Sequence, residues 1–470
     1  MKAGLVGPSY KMRSRPFSAE RCINLFPILA ESKAKDVAAL YGTPGLKLFA
    51  TAGQGPIRGL ITCGNGRTFC VSGNELYEIL ADKTTVVRGM LSTFNGPVSM
   101  AENGLQLMLA TSPDGYIFKF ADNTLAKITD PDFPGADYVI FQDGFFIIVP
   151  PNNMGRFNIS KIYDGLSWDA LDFATAESSP DGLVSLESVA GQLMLFGVST
   201  TEIWYNNGSA DFPFARLSGG RMETGAAAKF SLAKLDNSVF WLGQDKHGSG
   251  MVFRANGVTP LRISTQAIEY ALAQVIELAG DLSGIIGFPY QQEGHLFYIL
   301  TGNGMETALV FDAATQLWHE RAFLFNGDYE RWQAVFHCFA FNQNLTGDRL
   351  SGNIYVIDQD TYTDNDQPIR RSRVFSHVFN EGKRFKIASL QVDFDPGVGN
   401  AACPDPQAWL RLSKDGGNTW SNEYSAKLGK VGDYLRRVIW RRLGIQREAT
   451  FEVSVSDPVK VIITGARFNG

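Results

Sequence analysis

Near the C-terminal end of this 470-residue chain stands LSKDGGNTW, Leu412 to Trp420, with the pattern Ser-x-Asp-x-Gly-x-Thr-Trp. A carboxylate in a glycine-rich turn can accept backbone N–H groups. The glycines allow conformations that other residues avoid, and the tryptophan can pack beneath as the next strand starts. The other use of such a carboxylate is sugar hydrolysis, which needs a second carboxylate across the scissile bond. Looser versions occur at YDGLSW (Asp164 to Trp168) and FDAATQLW (Asp312 to Trp318). The acidic residues fall mostly in turns, and no two can be paired by spacing. Ser413, Asp415, Gly417 and Trp420 are therefore read as a structural turn, and no catalytic residue is assigned.

The pattern resembles the Asp-box turn of sialidases and other β-propeller glycosidases. The motif is specific for a turn, not for catalysis, and a sialidase would also need a tyrosine nucleophile and an arginine cluster. A carbohydrate-binding or glycosidase-type propeller is thus the alternative reading. The second candidate is YLRRVIWRRLG, where Arg436, Arg437, Arg441 and Arg442 flank Val438, Ile439 and Trp440. In a strand, each arginine pair puts one side chain on each face. These arginines could face DNA phosphates or an acidic neighbour, or bond to acids of their own domain, and both uses stand open.

Other chemistries lack their signatures. The histidines (247, 295, 319, 337 and 377) form no His-Glu-x-x-His, and there is no Gly-x-Ser-x-Gly elbow, Walker loop or dinucleotide fingerprint. Cys63 and Cys70, the close pair among five cysteines, flank GNGR at unequal offsets, so packing is expected of them rather than pairing. No metal site and no cofactor is expected.

The elements that would hold these residues are strands. From residue 56 to about 365 the chain repeats strand, glycine turn, strand, turn, strand, with turns such as GNG, SGN, ENG, PDG, QDG and NNG. A unit of roughly 35–45 residues lies in the range of propeller blades. Gly and Asn supply the positive φ that tight hairpins need. Six or seven such units predict a β-propeller over 56–365. One stretch, STQAIEYALAQVIELAG, places Ile268, Leu272 and Ile276 at helical spacing after Ser264 or Thr265 as a cap, and predicts a short helix between blades. Residues 1–55 mix Pro, Gly and single aromatics without alternation and read as an extended arm, for contact with a neighbouring subunit or adaptor, or lying on its own domain. Beyond the polar linker DTYTDNDQPIRR, longer strands over 366–470 read as a β-sandwich. The fold class is all-β.

Net charge is −5, which argues against a general nucleic-acid coat. Residues 370–470 hold 17 Lys and Arg against 10 Asp and Glu, a balance of +7, which leaves 26 against 38, or −12, for residues 1–369. No stretch of about 18 apolar residues is present, so no membrane span is expected. The unpaired cysteine pattern and the lack of a signal-type apolar run fit synthesis in a reducing cytoplasm.

AESSPDGLVSLESVAGQLMLFGVSTTEIWYNNG, RANGVTPLRISTQAIEYAL and VIWRRLG…VKVIITGARF resemble the tail accessory, or packaged-DNA stabilisation, proteins of P22-like podophages. The resemblance spans most of the chain, most closely 160–470. It implies a virion structural protein without enzyme activity: a homo-hexameric hub or nozzle ring below the portal and adaptor. Such rings help retain packaged DNA, conduct double-stranded DNA at ejection, and carry tailspikes or fibres and a distal needle or plug. It implies synthesis in the host bacterial cytoplasm and a final place in the virion tail.

Overall fold

The computed structural model describes residues 4–32, 37–176, 181–244 and 248–469. Seven four-stranded antiparallel blades make the propeller. Six of them follow the chain: 57–90, 99–127, 138–175, 183–222, 233–262 and 285–325. The seventh takes three strands from 334–358 and its outer strand from Gly45–Thr51, which pairs Leu46 with Ile357 and Leu48 with Tyr355.

The apolar runs show why blades stack. In Phe145–Val149, Phe146 and Ile148 pack with Met108 and Ile117 of the preceding blade, while Ile147 and Val149 pack with Leu186 and Leu193 of the next. Alternate side chains therefore serve two neighbours, and the strand is apolar on both faces instead of alternating with polar residues. Each such side chain contributes about 1.5–3 kcal/mol by leaving water. The same division separates the two close cysteines. Cys63 faces the second blade with Val98 and Leu107, and Cys70 faces the last blade with Ile57 and Cys338.

The expected helix is Gln266–Ala279, between the fifth and sixth blades. Thr265 caps it by accepting from the Ile268 amide at 3.4 Å, and Ile268, Leu272 and Val275 are its buried stripe.

The C-terminal sandwich has two sheets. One orders Leu25–Leu29, Ala38–Gly42, Ile462–Asn469, Phe385–Phe394 and Val438–Gln446. The other orders Ala19–Ile23, Arg371–Val374, Glu448–Val455, Gln407–Ser413 and Tyr424–Lys427. Leu390, Val392, Leu410, Trp440, Phe451 and Phe468 fill the space between, with Cys22, Leu25 and Leu40 from the N-terminal segment.

The described strands of the first 55 residues, expected as an arm, pair within this chain. Ala19–Ile23 lies antiparallel to Arg371–Val374 and meets the outer strand of the sixth blade, Leu317–Phe325, in a parallel register at Ile23 and Glu320. The sixth blade and one sandwich sheet thus form a single continuous sheet. The linker read at 360–371 is likewise stitched down, with Asp364 pairing with Leu46 beside the last blade. Strand pairing crosses the boundaries expected at 55/56 and 365/366. Single-strand sequence carries no mark of a partner three hundred residues away.

Candidate functional site

The Asp-box turn follows the sandwich strand Gln407–Ser413. Asp415 accepts from the Asn418 amide at 3.0 Å, the Thr419 amide at 2.9 Å, the Thr419 hydroxyl at 2.6 Å and the Ser413 hydroxyl at 2.7 Å. These hydrogen bonds, the Thr419 hydroxyl's first, hold its carboxyl well below the usual carboxylate range. The Ser413 hydroxyl in turn accepts from the Gly417 amide at 2.8 Å. Both carboxylate oxygens are spent on the turn itself.

Gly416 and Gly417 have φ of 70° and 91°, and both are buried by the N-terminal segment. A Cβ on Gly416 would sit 2.9 Å from Pro16 Cα, and one on Gly417 2.9 Å from Ala19 Cβ. Trp420 is half-buried, with the Arg411 guanidinium 5.4 Å from its ring. The turn is a seat for residues 15–19.

The two echoes behave alike. Asp164 accepts from the Leu166 amide at 3.1 Å and the Ser167 hydroxyl at 2.7 Å. Asp312 accepts from the Ala314 amide at 3.0 Å and the Thr315 hydroxyl at 2.8 Å, and contacts His295 Nδ1 at 2.7 Å. Trp168 and Trp318 are buried behind them, donating from Nε1 to Gly165 O and Ile263 O. The three acidic turns lie in different parts of the fold, and each binds its own backbone.

The arginine stretch departs from the expected alternation. Arg436 and Arg437 precede the strand, in an exposed loop, and Arg436 pairs with Asp433 at 3.0 Å. Arg441 and Arg442 belong to Val438–Gln446, the edge strand of its sheet. A bulge sets Arg442 and Leu443 opposite Ala388, with Arg442 at φ 62°. The bulge keeps Trp440 and Leu443 inside and turns both arginines outward. All four arginines are exposed on one edge.

The described histidines are held by packing and hydrogen bonds. His319 is buried against Phe26 and Phe297, and burial lowers its pKa to about 3. His337 bonds to Asn344 Oδ1 at 2.9 Å, and burial lowers its pKa to about 4. His377 meets Thr450 Oγ1 at 2.7 Å and Arg15 O at 2.9 Å. His247 lies outside the described residues. Among the described residues, no three His, Cys, Asp or Glu side chains are grouped to hold a metal ion, and no helix is long and apolar enough to cross a membrane.

Sequence reasoning missed a seam of buried charge between the two domains. Glu320 accepts from Arg21 Nε at 3.2 Å, from Ser9 Oγ at 2.8 Å and from Thr307 Oγ1 at 2.8 Å. Burial works against its ionised form, but the Arg21 charge outweighs it and keeps its pKa low. Beside this seam, within the sandwich itself, Arg373 is fully buried and donates to Glu20 Oε2 at 2.6 Å and to Leu5 O at 2.6 Å. Arg321 donates to Pro44 O at 2.7 Å with its Cζ 3.7 Å from the Trp332 ring centroid. The available signal was WHER, two adjacent opposite charges inside an apolar strand.

The sequence model of a family described as "Bacteriophage P22 Gp10, beta-propeller" matches residues 5–362, and that of "Bacteriophage P22 Gp10, beta-sandwich" matches residues 370–470. No curated protein matches the chain. Among solved structures it is similar to the N-terminal domain of Nup159 (8% identity, 72% of this chain and 99% of that one, TM-score 0.39). It is also similar to U3-55K (9%, 67% and 99%, 0.41) and to a chain of a mitotic checkpoint complex (10%, 71% and 99%, 0.45). With both domains matched in order over nearly its whole length, the chain belongs to the bacteriophage P22 Gp10 family, phage structural proteins built from a β-propeller and a β-sandwich.

Proposed function

We propose that this chain is the subunit of a hexameric hub, or tail nozzle, below the portal and adaptor of a phage virion. The ring stabilises packaged DNA, conducts it during ejection, and anchors tailspikes or fibres and a distal needle or plug. The subunit is made in the host bacterial cytoplasm and acts without enzyme activity. The observation that carries the reading is the family match over both domains.

Two features support it. The bore of the propeller is a cavity of about 400 Å³ lined by the innermost strands, with Tyr138, Phe230, Phe288 and Phe336 among its walls. That is room for roughly a dozen waters, so DNA would pass along the ring axis and not through a subunit. An acidic propeller also suits a conduit wall, because like charge keeps DNA from adhering. The buried Arg21–Glu320 pair and the strand pairing beside it would hold propeller and sandwich as one wall element under the pressure of a packed genome.

Electron microscopy of the purified chain, alone and with a portal–adaptor complex, tests the reading. Sixfold rings are expected. A monomer that ignores the portal and releases reducing sugar from a glycan would overturn it in favour of a glycosidase-type propeller.

A further inference from the structure

The edge strand Val438–Gln446 and the loop before it combine two features. The arginines Arg437, Arg441 and Arg442 make no ion pair among the described residues. Beside them in the chain stand apolar side chains left in water: Tyr434 is 67% exposed, Leu435 93% and Ile445 65%. An edge that served only to block strand pairing would need charge and a bulge, and both are here. It would not need Leu435 in solvent. A surface for nucleic acid would need the arginines but gains little from exposed Leu and Ile. Arg and Tyr set among aliphatic residues are instead the composition of protein interfaces, where apolar anchors are buried and charges select the partner.

We propose that this edge docks on the propeller of a second copy of the chain. Charge complementarity names the occupant: residues 1–42 and 370–470, which supply the sandwich, hold 24 Lys and Arg against 13 Asp and Glu, or +11, and residues 43–369, mainly the propeller, hold 19 against 35, or −16. The bulge is the device that makes this possible. By turning Arg442 outward beside Arg441 it doubles the charge presented at mid-strand, and it blunts the edge against pairing with a strand from elsewhere. The inference rests on the ring reading and adds to it the surface through which copies meet.

The test compares the full chain with Arg437→Glu/Arg441→Glu/Arg442→Glu and with Leu435→Ser, alone and on the portal–adaptor complex. Sedimentation and native mass spectrometry read assembly, and near-UV circular dichroism reads the fold. Wild-type assembly is expected to weaken between about 0.05 and 0.5 M salt. The triple variant is expected to lose about tenfold or more in self-association with an unchanged spectrum. Leu435→Ser, which keeps every charge, is expected to weaken assembly too, and carries the test should the triple variant misfold. Rings that form equally well in all three proteins would overturn the docking edge and leave the ring reading standing. Wild type that never self-associates, even on the portal complex, would overturn both. Intact rings with lost binding of a labelled 30-base-pair duplex, an anisotropy probe of about three helical turns, would reassign the edge to DNA.

Discussion

Asp415 shows how a residue type associated with catalysis is consumed by structure. Its oxygens take hydrogen bonds from Asn418, Thr419 and Ser413, and the glycines beside it receive Pro16 and Ala19. Asp415→Ala is expected to lower the midpoint of thermal unfolding and raise amide exchange in residues 14–20 and 412–421, while abolishing no reaction. A hydrolase activity present in the wild type and lost in the variant would reopen the enzyme reading. His319 makes a second prediction at this scale. Its folded pKa of about 3 lies below the 6.5 of the free side chain because burial penalises the charged ring. Between these values the unfolded chain binds the proton and the folded chain does not. The stabilisation is therefore complete above pH 6.5 and is lost as pH falls toward 3, by on the order of 5 kcal/mol. His319→Phe, which suits the Phe26 and Phe297 surroundings, is expected to flatten that part of the pH–stability curve. Denaturant unfolding of both proteins at pH 4 and pH 7 measures it, and equal slopes would refute the assignment.

At the scale of elements, Gly45–Thr51 decides whether the propeller closes. It is the outer strand of the last blade, and Phe49 and Ala50 pack beside Ile57 and Leu60 of the first. A side chain at Gly45 would collide with the Thr363 carbonyl at 2.3 Å and the Thr361 carbonyl at 2.5 Å, so the strand enters under the linker with no room for a Cβ. A detachable arm would leave folded protein when removed. Deletion of residues 1–52 is expected instead to give aggregated protein or a product lacking near-UV signal, because it removes this strand and three sandwich strands together. A soluble, folded, monodisperse product on size exclusion would contradict that pairing.

For the whole molecule, the continuous sheet from the sixth blade through Ala19–Ile23 into the sandwich couples the two domains mechanically. The seam beneath it is polar. Breaking it would part Glu320 of the sixth blade from Arg21 of the sandwich sheet, and an unpaired buried charge costs about 3–5 kcal/mol. Partial separation is therefore disfavoured, and propeller and sandwich are expected to unfold in one calorimetric transition. Two well-separated transitions would show the seam to be weaker than its geometry indicates. Glu320→Gln is the matching perturbation. It leaves Arg21 without its main counter-charge and should split or broaden that transition.

Much of this organisation was legible in local sequence. The glycine turns at regular spacing predicted blades, helical spacing after Ser264 or Thr265 predicted the short helix Gln266–Ala279, and the Ser413–Trp420 pattern predicted its own turn. Each of these depends on residues within a few positions of one another, and short-range spacing determines backbone periodicity and turn chemistry. The rest depends on pairings that spacing cannot express. Which strand completes the last blade, where the segment before residue 43 inserts, and how Glu320 acquires Arg21 are contacts across about three hundred residues. The orientation of Arg442 is local in sequence but not in cause. It follows from the need to keep both Trp440 and Leu443 in the sandwich core, which only the packed sheets impose.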